Sequence, residues 1–430
     1  MQHCTTFLVL LVLFFVSSLT AKPEKLDLTI QAEAAILINA DTGAILYEKN
    51  PHALHYPASI TKVVTAICAL EKVADKMDVM IAADQDCIGT VTEEAFRRSN
   101  YTLPAYFLVP GGCHIGIKRG EELSLKDLFN GMLIASADDA ANIIAKYAGG
   151  TIPQFIAEMN HFAERVGCRS TTFYNPHGLH HPKQQTTAYD MALITKEALK
   201  NPTFREFVRT PQCTRPKTNK QEPTTLVQTN KLLRRSGRYF YSKAIGVKTG
   251  YYSLARHNLI AAAKDGDRTL IAVLLKTDDR NEMFLDAKKM FETAFSQPKV
   301  QRVLLHKGPQ KFTLDLPGRN RKVASYIAED VSLEYYPAEE PALKFQIAWN
   351  KTINLPIAKD QPIGNFLVLS DKGEVLRMVP LLAQEKATAS LWENFKQSLN
   401  TNSVIAKGVV IIVVGLLVTF IFLELRRRRS

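Results

Sequence analysis

The sequence predicts an α+β domain, an antiparallel sheet flanked by helices, followed by a small all-β domain, with an export leader before them and a membrane anchor after. Three observations lead there. Strand-like runs at 35–38, 45–48, 259–263 and 270–275 bracket helical stretches at 60–73, 125–147, 152–166 and 286–295. Asp265-Gly266-Asp267 separates the last two strands as a hairpin turn does. Near residue 297 the pattern changes to short alternating strands, such as 312–316 and 366–370, with turns at Pro317-Gly318 and Asp371-Lys372-Gly373.

The 430 residues suggest two or three domains. With 46% hydrophobic and 22% charged residues, the main body is neither disordered, collagenous nor a multi-span membrane protein. Six cysteines at irregular spacing, none in a CxxC pair, give no disulfide framework and no metal site, and no cofactor is expected.

The ends set the compartment. Residues 1–21 contain no Asp, Glu, Lys or Arg, and 7–16 is an unbroken apolar run followed by Ser17 and Ser18, which predicts a secretory signal cleaved near Thr20 or Ala21. Residues 408–425 are apolar except Thr419 and Glu424, and at about 1.5 Å per residue they cross most of a hydrocarbon core. The four arginines at 426–429 then stay cytoplasmic by the positive-inside rule, leaving the body on the outer face. The expected order is signal 1–21, large domain 30–296, β-rich domain 297–386, stalk 387–406, transmembrane anchor 407–425 and basic tail 426–430.

The chemistry gathers at three places. Ser59-Ile60-Thr61-Lys62 sets a hydroxyl and an amine three residues apart at a helix start, where i and i+3 share a face. A desolvated lysine so placed takes a serine proton, and the helix N-terminus favours negative charge developing at an attacked carbonyl. Lys248-Thr249-Gly250 offers a cation and a hydroxyl on an edge strand for a carboxylate, with a glycine that lets the ligand approach the backbone. Ser136-Ala137-Asp138 projects a hydroxyl and a carboxyl from one loop toward Lys62. Each triplet alone is a weak pattern, whose bland readings are a chance helix surface or a capped turn.

The three occur in order, with 77 residues from Ser59 to Ser136 and 112 from Ser136 to Lys248. The set resembles the active-serine penicillin-binding protein and β-lactamase signature. Within it the chain is most similar to the low-molecular-mass penicillin-binding proteins that act as D-alanyl-D-alanine carboxypeptidases. The likeness extends to Ala35-Ile36-Leu37-Ile38, Asp41-Thr42-Gly43, residues 120–128, Phe173-Tyr174-Asn175-Pro176-His177-Gly178-Leu179 and residues 187–192, and in the small domain to Leu355-Pro356-Ile357-Ala358-Lys359.

That resemblance implies a penicillin-binding-protein/β-lactamase-like transpeptidase fold and a two-step acyl transfer. Ser59 would attack the penultimate D-alanine carbonyl of a peptidoglycan stem peptide with Lys62 as base, and Ser136 would pass the proton to the leaving amine. The backbone N–H groups of Ser59 and Tyr251 would form an oxyanion hole, with Lys248, Thr249 and Gly250 at the substrate carboxylate. β-Lactam antibiotics would acylate the same serine.

Two features depart from the family pattern. Its second motif normally ends in asparagine, whereas this chain has Asp138. An ionised carboxylate cannot donate an amide hydrogen bond to substrate, and beside Lys62 it opposes that lysine's use as a base; a protonated or outward-turned Asp138 would restore donation. Residues 87–112 are longer than the corresponding family loop, and read as a surface insertion or as a rim that alters substrate access.

From Arg215 to Arg256 ten basic residues face only Glu222, a field suited to carboxylates. Tyr239, Phe240 and Tyr241 lie beside them, but an exported protein does not meet nucleic acid. Arg280 is a further candidate carboxylate contact. A β-lactamase and a non-catalytic scaffold on the same fold share the triplets.

Overall fold

Residues 34–39, Ala-Ala-Ile-Leu-Ile-Asn, are buried at every position, so both faces of this strand must be covered. The computed structural model describes residues 24–316, 321–350 and 352–389, with 408, 411, 412, 414–416, 418 and 419, and shows how that covering is achieved. The described residues divide into two units, one of 24–299 with 336–340, the other of those within 300–335 and from 341 onward.

The larger unit is built on a five-stranded antiparallel sheet. Its strands are β1 (Ala34–Asn39), β2 (Ile45–Lys49), β3 (Ala244–Tyr252), β4 (Arg256–Asp265) and β5 (Arg268–Thr277), in the order β2-β1-β5-β4-β3. Register follows the hairpin at Gly266, with Ala263 opposite Leu270 and Ile260 opposite Lys248. Alternation then sorts the side chains. Ile36, Ile38, Ile260, Ala262, Ile271 and Val273 join one core, while Leu37, Leu259, Ala261, Leu270 and Leu274 join another.

The first core is filled by α1 (Lys62–Val73), α2 (Leu125–Ile134), α3 (Asp138–Gly149), α4 (Ile152–Arg165), α5 (Ala188–Ala198) and α6 (Pro202–Arg209). The second is covered by α7 (Glu282–Phe295), through Phe284, Met290 and Phe291. The helix starts follow from capping chemistry: the side chains of Ser124, Thr151, Thr187 and Asn201 each accept from a backbone N–H in the first turn of α2, α4, α5 and α6. The helix expected over 125–147 is instead two helices. It breaks at 135–137, in the loop expected at Ser136-Ala137-Asp138, where Ser136 takes φ 66° although apolar periodicity runs on through Ala135 and Ala137.

The smaller unit is all antiparallel strands. Val300–Leu305 pairs with Val331–Tyr335. A five-stranded sheet runs in the order Gly308–Asp315, Lys322–Ile327, Val375–Ala383, Pro362–Ser370, Leu343–Trp349, around Leu314, Val323, Ile327, Phe366, Val368 and Leu381.

The expected signal at 1–21 and tail at 426–430 lie outside the described residues, as do nearly all of the stalk and much of the anchor. Among the described residues no helix is long and apolar enough to cross a membrane.

Residues 336–340 return to the larger unit through one buried ion pair. The Arg268 guanidinium on β5 pairs with Glu339, donating Nε–H to Oε1 at 2.7 Å, stacks on the Tyr336 ring at 3.9 Å, and donates to the Ala294 carbonyl at the end of α7 at 2.6 Å. Asn39 donates to the other Glu339 oxygen at 2.7 Å. Removing one partner of a buried, multiply bonded pair typically costs about 3–5 kcal/mol, because the other charge is left uncompensated. Glu339→Ala should therefore lower the unfolding free energy of the larger unit, measured by urea titration, by an amount of that order; an unchanged midpoint would show that the segment contributes nothing to it.

Candidate active site

The nucleophile segment is fixed to the sheet before it becomes helical. Asn258 on β4 donates its amide to the carbonyls of Tyr56 and Pro57 at 2.8 and 2.9 Å, and its own oxygen accepts from Lys276 N–H at 2.8 Å. The chain then makes one 3-10 turn, Ala58–Thr61, with Ala58 at φ 50°, and continues into α1. In a 3-10 turn residues i and i+3 eclipse, and Lys62 Nζ stands 3.0 Å from Ser59 Oγ.

Lys62 is wholly buried and its amine meets three acceptors: Ser59 Oγ, Asp138 Oδ1 at 2.6 Å and the His177 carbonyl at 2.6 Å. A neutral amine has two N–H donors and one lone pair. The ammonium offers one N–H to each of the three acceptors; with one proton withdrawn, the two remaining donors match Asp138 and His177 and the lone pair is left toward Ser59.

The His177 carbonyl is positioned by a tightly bonded loop. Gln184 Oε1 accepts from the N–H groups of Tyr174 and Asn175, and Asn175 Oδ1 accepts from Gly178 N–H at 2.7 Å. Gly178 has φ +94°, and a Cβ there would lie 2.0 Å from the Ala58 carbonyl oxygen, so only glycine lets this loop reach the nucleophile turn. The His177 ring is fully buried, which depresses its pKa to about 4. It accepts from Leu179 N–H through Nδ1, so Nε2 carries the proton toward the Tyr106 carbonyl at 3.1 Å.

The helix break delivers the second triplet. Asp138 is turned inward, not outward: Oδ1 takes Lys62 and Oδ2 takes Cys113 N–H at 3.1 Å. Both oxygens accept from N–H donors, a pairing that an asparagine amide, with one acceptor oxygen, cannot reproduce. Asp139 faces elsewhere, accepting from Ile115, Ile117 and Ala140 N–H, and burial holds its carboxyl above the usual range.

The third triplet lies on edge strand β3. Lys248 is wholly buried and donates to Ser136 Oγ at 2.8 Å and to the Thr249 carbonyl at 2.9 Å. Burial and the nearby Lys62 charge lower its pKa to about 7. Thr249 hydrogen-bonds Thr229 at 2.8 Å. A Cβ at Gly250 would lie 3.0 Å from Ser59 N, so β3 runs against the start of the nucleophile turn. Tyr251 is exposed and stacks on His257.

Two cavities open at Ser59. One, of about 310 Å³, is lined by Ser136, Thr229, Thr249, His257 and Arg280; the other, of about 530 Å³, by Asp138, Phe96, Tyr101, His180 and Tyr252. All eight sequence-predicted residues, Ser59, Lys62, Ser136, Asp138, Lys248, Thr249, Gly250 and Tyr251, thus meet in one region. Arg280 joins the smaller cavity, whereas Arg234 is spent on the Gln228 carbonyl. Residues 87–112 are not a remote surface insertion, since Phe96, Arg97 and Tyr101 wall the larger cavity. Sequence reasoning missed Cys113 and the His177 carbonyl, which reach Asp138 and Lys62 through backbone atoms, and Thr229, whose hydroxyl bonds that of Thr249. Among the described residues no group of three or more His, Cys, Asp or Glu is placed to hold a metal.

This geometry is a half-buried serine against a wholly buried lysine at a helix start, with a second lysine–serine pair beside it. Residues 19–279 match the peptidase S11 family, described as D-alanyl-D-alanine carboxypeptidase. The chain belongs to that family. It is 31% identical over 417 residues to the D-alanyl-D-alanine carboxypeptidase DacF of Bacillus subtilis, covering 91% of this chain and 98% of that one. It is 29% identical to DacD of Salmonella typhimurium, over 83% and 86% of the two chains. The fold matches the crystal structure of the D-alanyl-D-alanine carboxypeptidase DacD from Francisella tularensis, with TM-score 0.57 and 22% identity over 87% of this chain and 97% of that one. This family member therefore has the penicillin-binding-protein type of α+β fold.

The buried His177 ring gives the S11 site a pH signature. Its pKa is depressed from 6.5 to about 4, so the unfolded chain binds the proton first as pH falls. The associated stability is complete above about pH 6.5 and is lost as pH falls toward about 4, by roughly 3 kcal/mol in total. Urea unfolding of His177→Gln should show a shallower loss across that interval than wild type; parallel curves would contradict the assignment.

Proposed function

We propose that the chain is a membrane-held serine D-alanyl-D-alanine carboxypeptidase that removes the terminal D-alanine of peptidoglycan stem pentapeptides and is acylated by β-lactam antibiotics. The observation that carries this is the Lys62 amine, with its two shortest contacts to acceptors and its third aimed at Ser59 Oγ 3.0 Å away. Ser59 attacks the penultimate carbonyl, and Lys62 takes the hydroxyl proton. The backbone N–H groups of Ser59 and Tyr251 hold the oxyanion, in the gap where β3 meets the nucleophile turn. Lys248, Thr249 and Arg280 receive the substrate's terminal carboxylate in the smaller cavity. Ser136, bonded to Lys248, relays a proton to the departing amine as the C–N bond breaks. Water then attacks the ester, with Lys62 again taking a proton, and Ser59 is released.

Supporting the location are the apolar run 408–425 and the arginines after it, which we read as an anchor that keeps the body at the extracytoplasmic face behind a cleaved signal. The domain limits 30–296 and 297–386 belong to the same reading.

Ser59→Ala should abolish D-alanine release from a pentapeptide and covalent labelling by a fluorescent penicillin, in protein that melts as wild type does; release at the wild-type rate would sink the mechanism. A lasting penicillin adduct on wild type supports the carboxypeptidase over rapid β-lactam turnover. Asp138 tests the site's electrostatics. A base that must work against a carboxylate 2.6 Å away needs higher pH, so Asp138→Asn should move the acid limb of kcat/KM down by about one pH unit and raise activity below it severalfold. An unmoved limb with lower activity would instead make Asp138 a plain structural anchor.

A further inference from the structure

The larger cavity is walled by a segment the mechanism does not use. Residues 87–112 are fastened at both ends: Asp84 caps Cys87, Asn142 donates to the carbonyls of Cys87 and Tyr106, and Leu108 pairs with Gly89 and Val91 through backbone hydrogen bonds. Tyr101 packs edge-on against His180 and His181. Between these points runs the short helix Glu93–Arg98, capped by Thr92.

That helix carries two acid–base ridges of the same spacing. Glu94 and Arg98 form an i,i+4 ion pair. Glu93 and Arg97 have the same spacing, yet among the described residues they form no ion pair with one another, and both line the cavity that contains Ser59. Burial lowers the pKa of His180 nearby, leaving its ring neutral at pH 7. Apart from the Asp138–Lys62 pair on the floor, the cavity thus offers one free carboxylate and one free guanidinium, a helical turn apart, beside the rings of Phe96 and Tyr101.

Resting on the carboxypeptidase reading, in which the smaller cavity takes the leaving D-alanine, we propose that Glu93 and Arg97 form a specificity subsite for the acyl-donor side, binding a side chain that ends in both an ammonium and a carboxylate. Two charges on one carbon match two partners one helical turn apart, with Glu93 taking the ammonium and Arg97 the carboxylate in a forked hydrogen bond. The aliphatic stem of the ligand lies along Phe96 and Tyr101. A side chain ending in an ammonium alone leaves Arg97 without a partner.

The test uses the full chain in detergent and two pentapeptides that differ only in the third residue, meso-diaminopimelate in one and lysine in the other. Wild type should release D-alanine from the first with a kcat/KM roughly tenfold higher. Arg97→Ala should bring that ratio close to one, Arg97→Lys should keep part of it, and Arg98→Ala, on the neighbouring ridge outside the cavity lining, should leave both rates as in wild type. Thermal melts matching wild type show that a lost ratio is not lost folding. A wild type that does not discriminate, or an Arg97→Ala that keeps the full preference, overturns the subsite alone. Release from neither peptide by wild type overturns the carboxypeptidase reading, and the subsite with it.

Discussion

The larger unit is organised around a lysine ammonium with no access to water. Burying such a charge costs several kcal/mol unless it is fully bonded. Lys62 satisfies that demand with acceptors from three distant stretches of chain: its own turn at Ser59, the start of α3 at Asp138, and the loop at His177. Each must arrive within hydrogen-bond distance of one nitrogen. The helix break at 135–137, the Asn175–Gln184 network and the tether from Asn258 are means of bringing them there. Asp138 extends the same constraint outward, since its second oxygen holds the Cys113 backbone and thereby one edge of the larger cavity.

Backbone conformation reflects this convergence. Ala58, immediately before the nucleophile, and Ser136, whose hydroxyl meets Lys248, both occupy positive φ without being glycine. Such positions cost about 1–3 kcal/mol each and persist where surrounding contacts over-determine them. Around Ser59 those contacts come from Gly178 and Gly250, whose missing side chains admit backbone where a Cβ would collide. The charge on Lys62 disfavours one on Lys248, and the carboxylate of Asp138 stands as a counterweight within the site.

Much of this was legible in the sequence, and the unreadable parts share a cause. The three triplets carry chemistry in their side chains at fixed spacing, so Ser59, Lys62, Ser136 and Lys248 could be named before any fold was known. The sheet strands were legible because alternation and the Asp265-Gly266-Asp267 turn specify them locally. The loop at Ser136-Ala137-Asp138 could be named from its residues, but the positive φ of Ser136 could not, since it is imposed by tertiary contacts. The contact of Asp138 with Lys62 was expected, but the hold of its second oxygen on Cys113 N–H, 25 residues away, was not. His177 acts through its carbonyl, and a backbone atom leaves no mark on residue type. The wall formed by 87–112 was visible as extra length; its direction was not.

The pair between Arg268 and Glu339 bears on the order in which the protein can be made. Residues 300–335 belong to the smaller unit, yet the partner for a buried guanidinium on β5 arrives only after them. During synthesis, the larger unit therefore waits for some forty residues beyond its last helix before that charge is neutralised. A polypeptide ending at residue 299 contains every triplet and still lacks the carboxylate that closes the far side of the sheet.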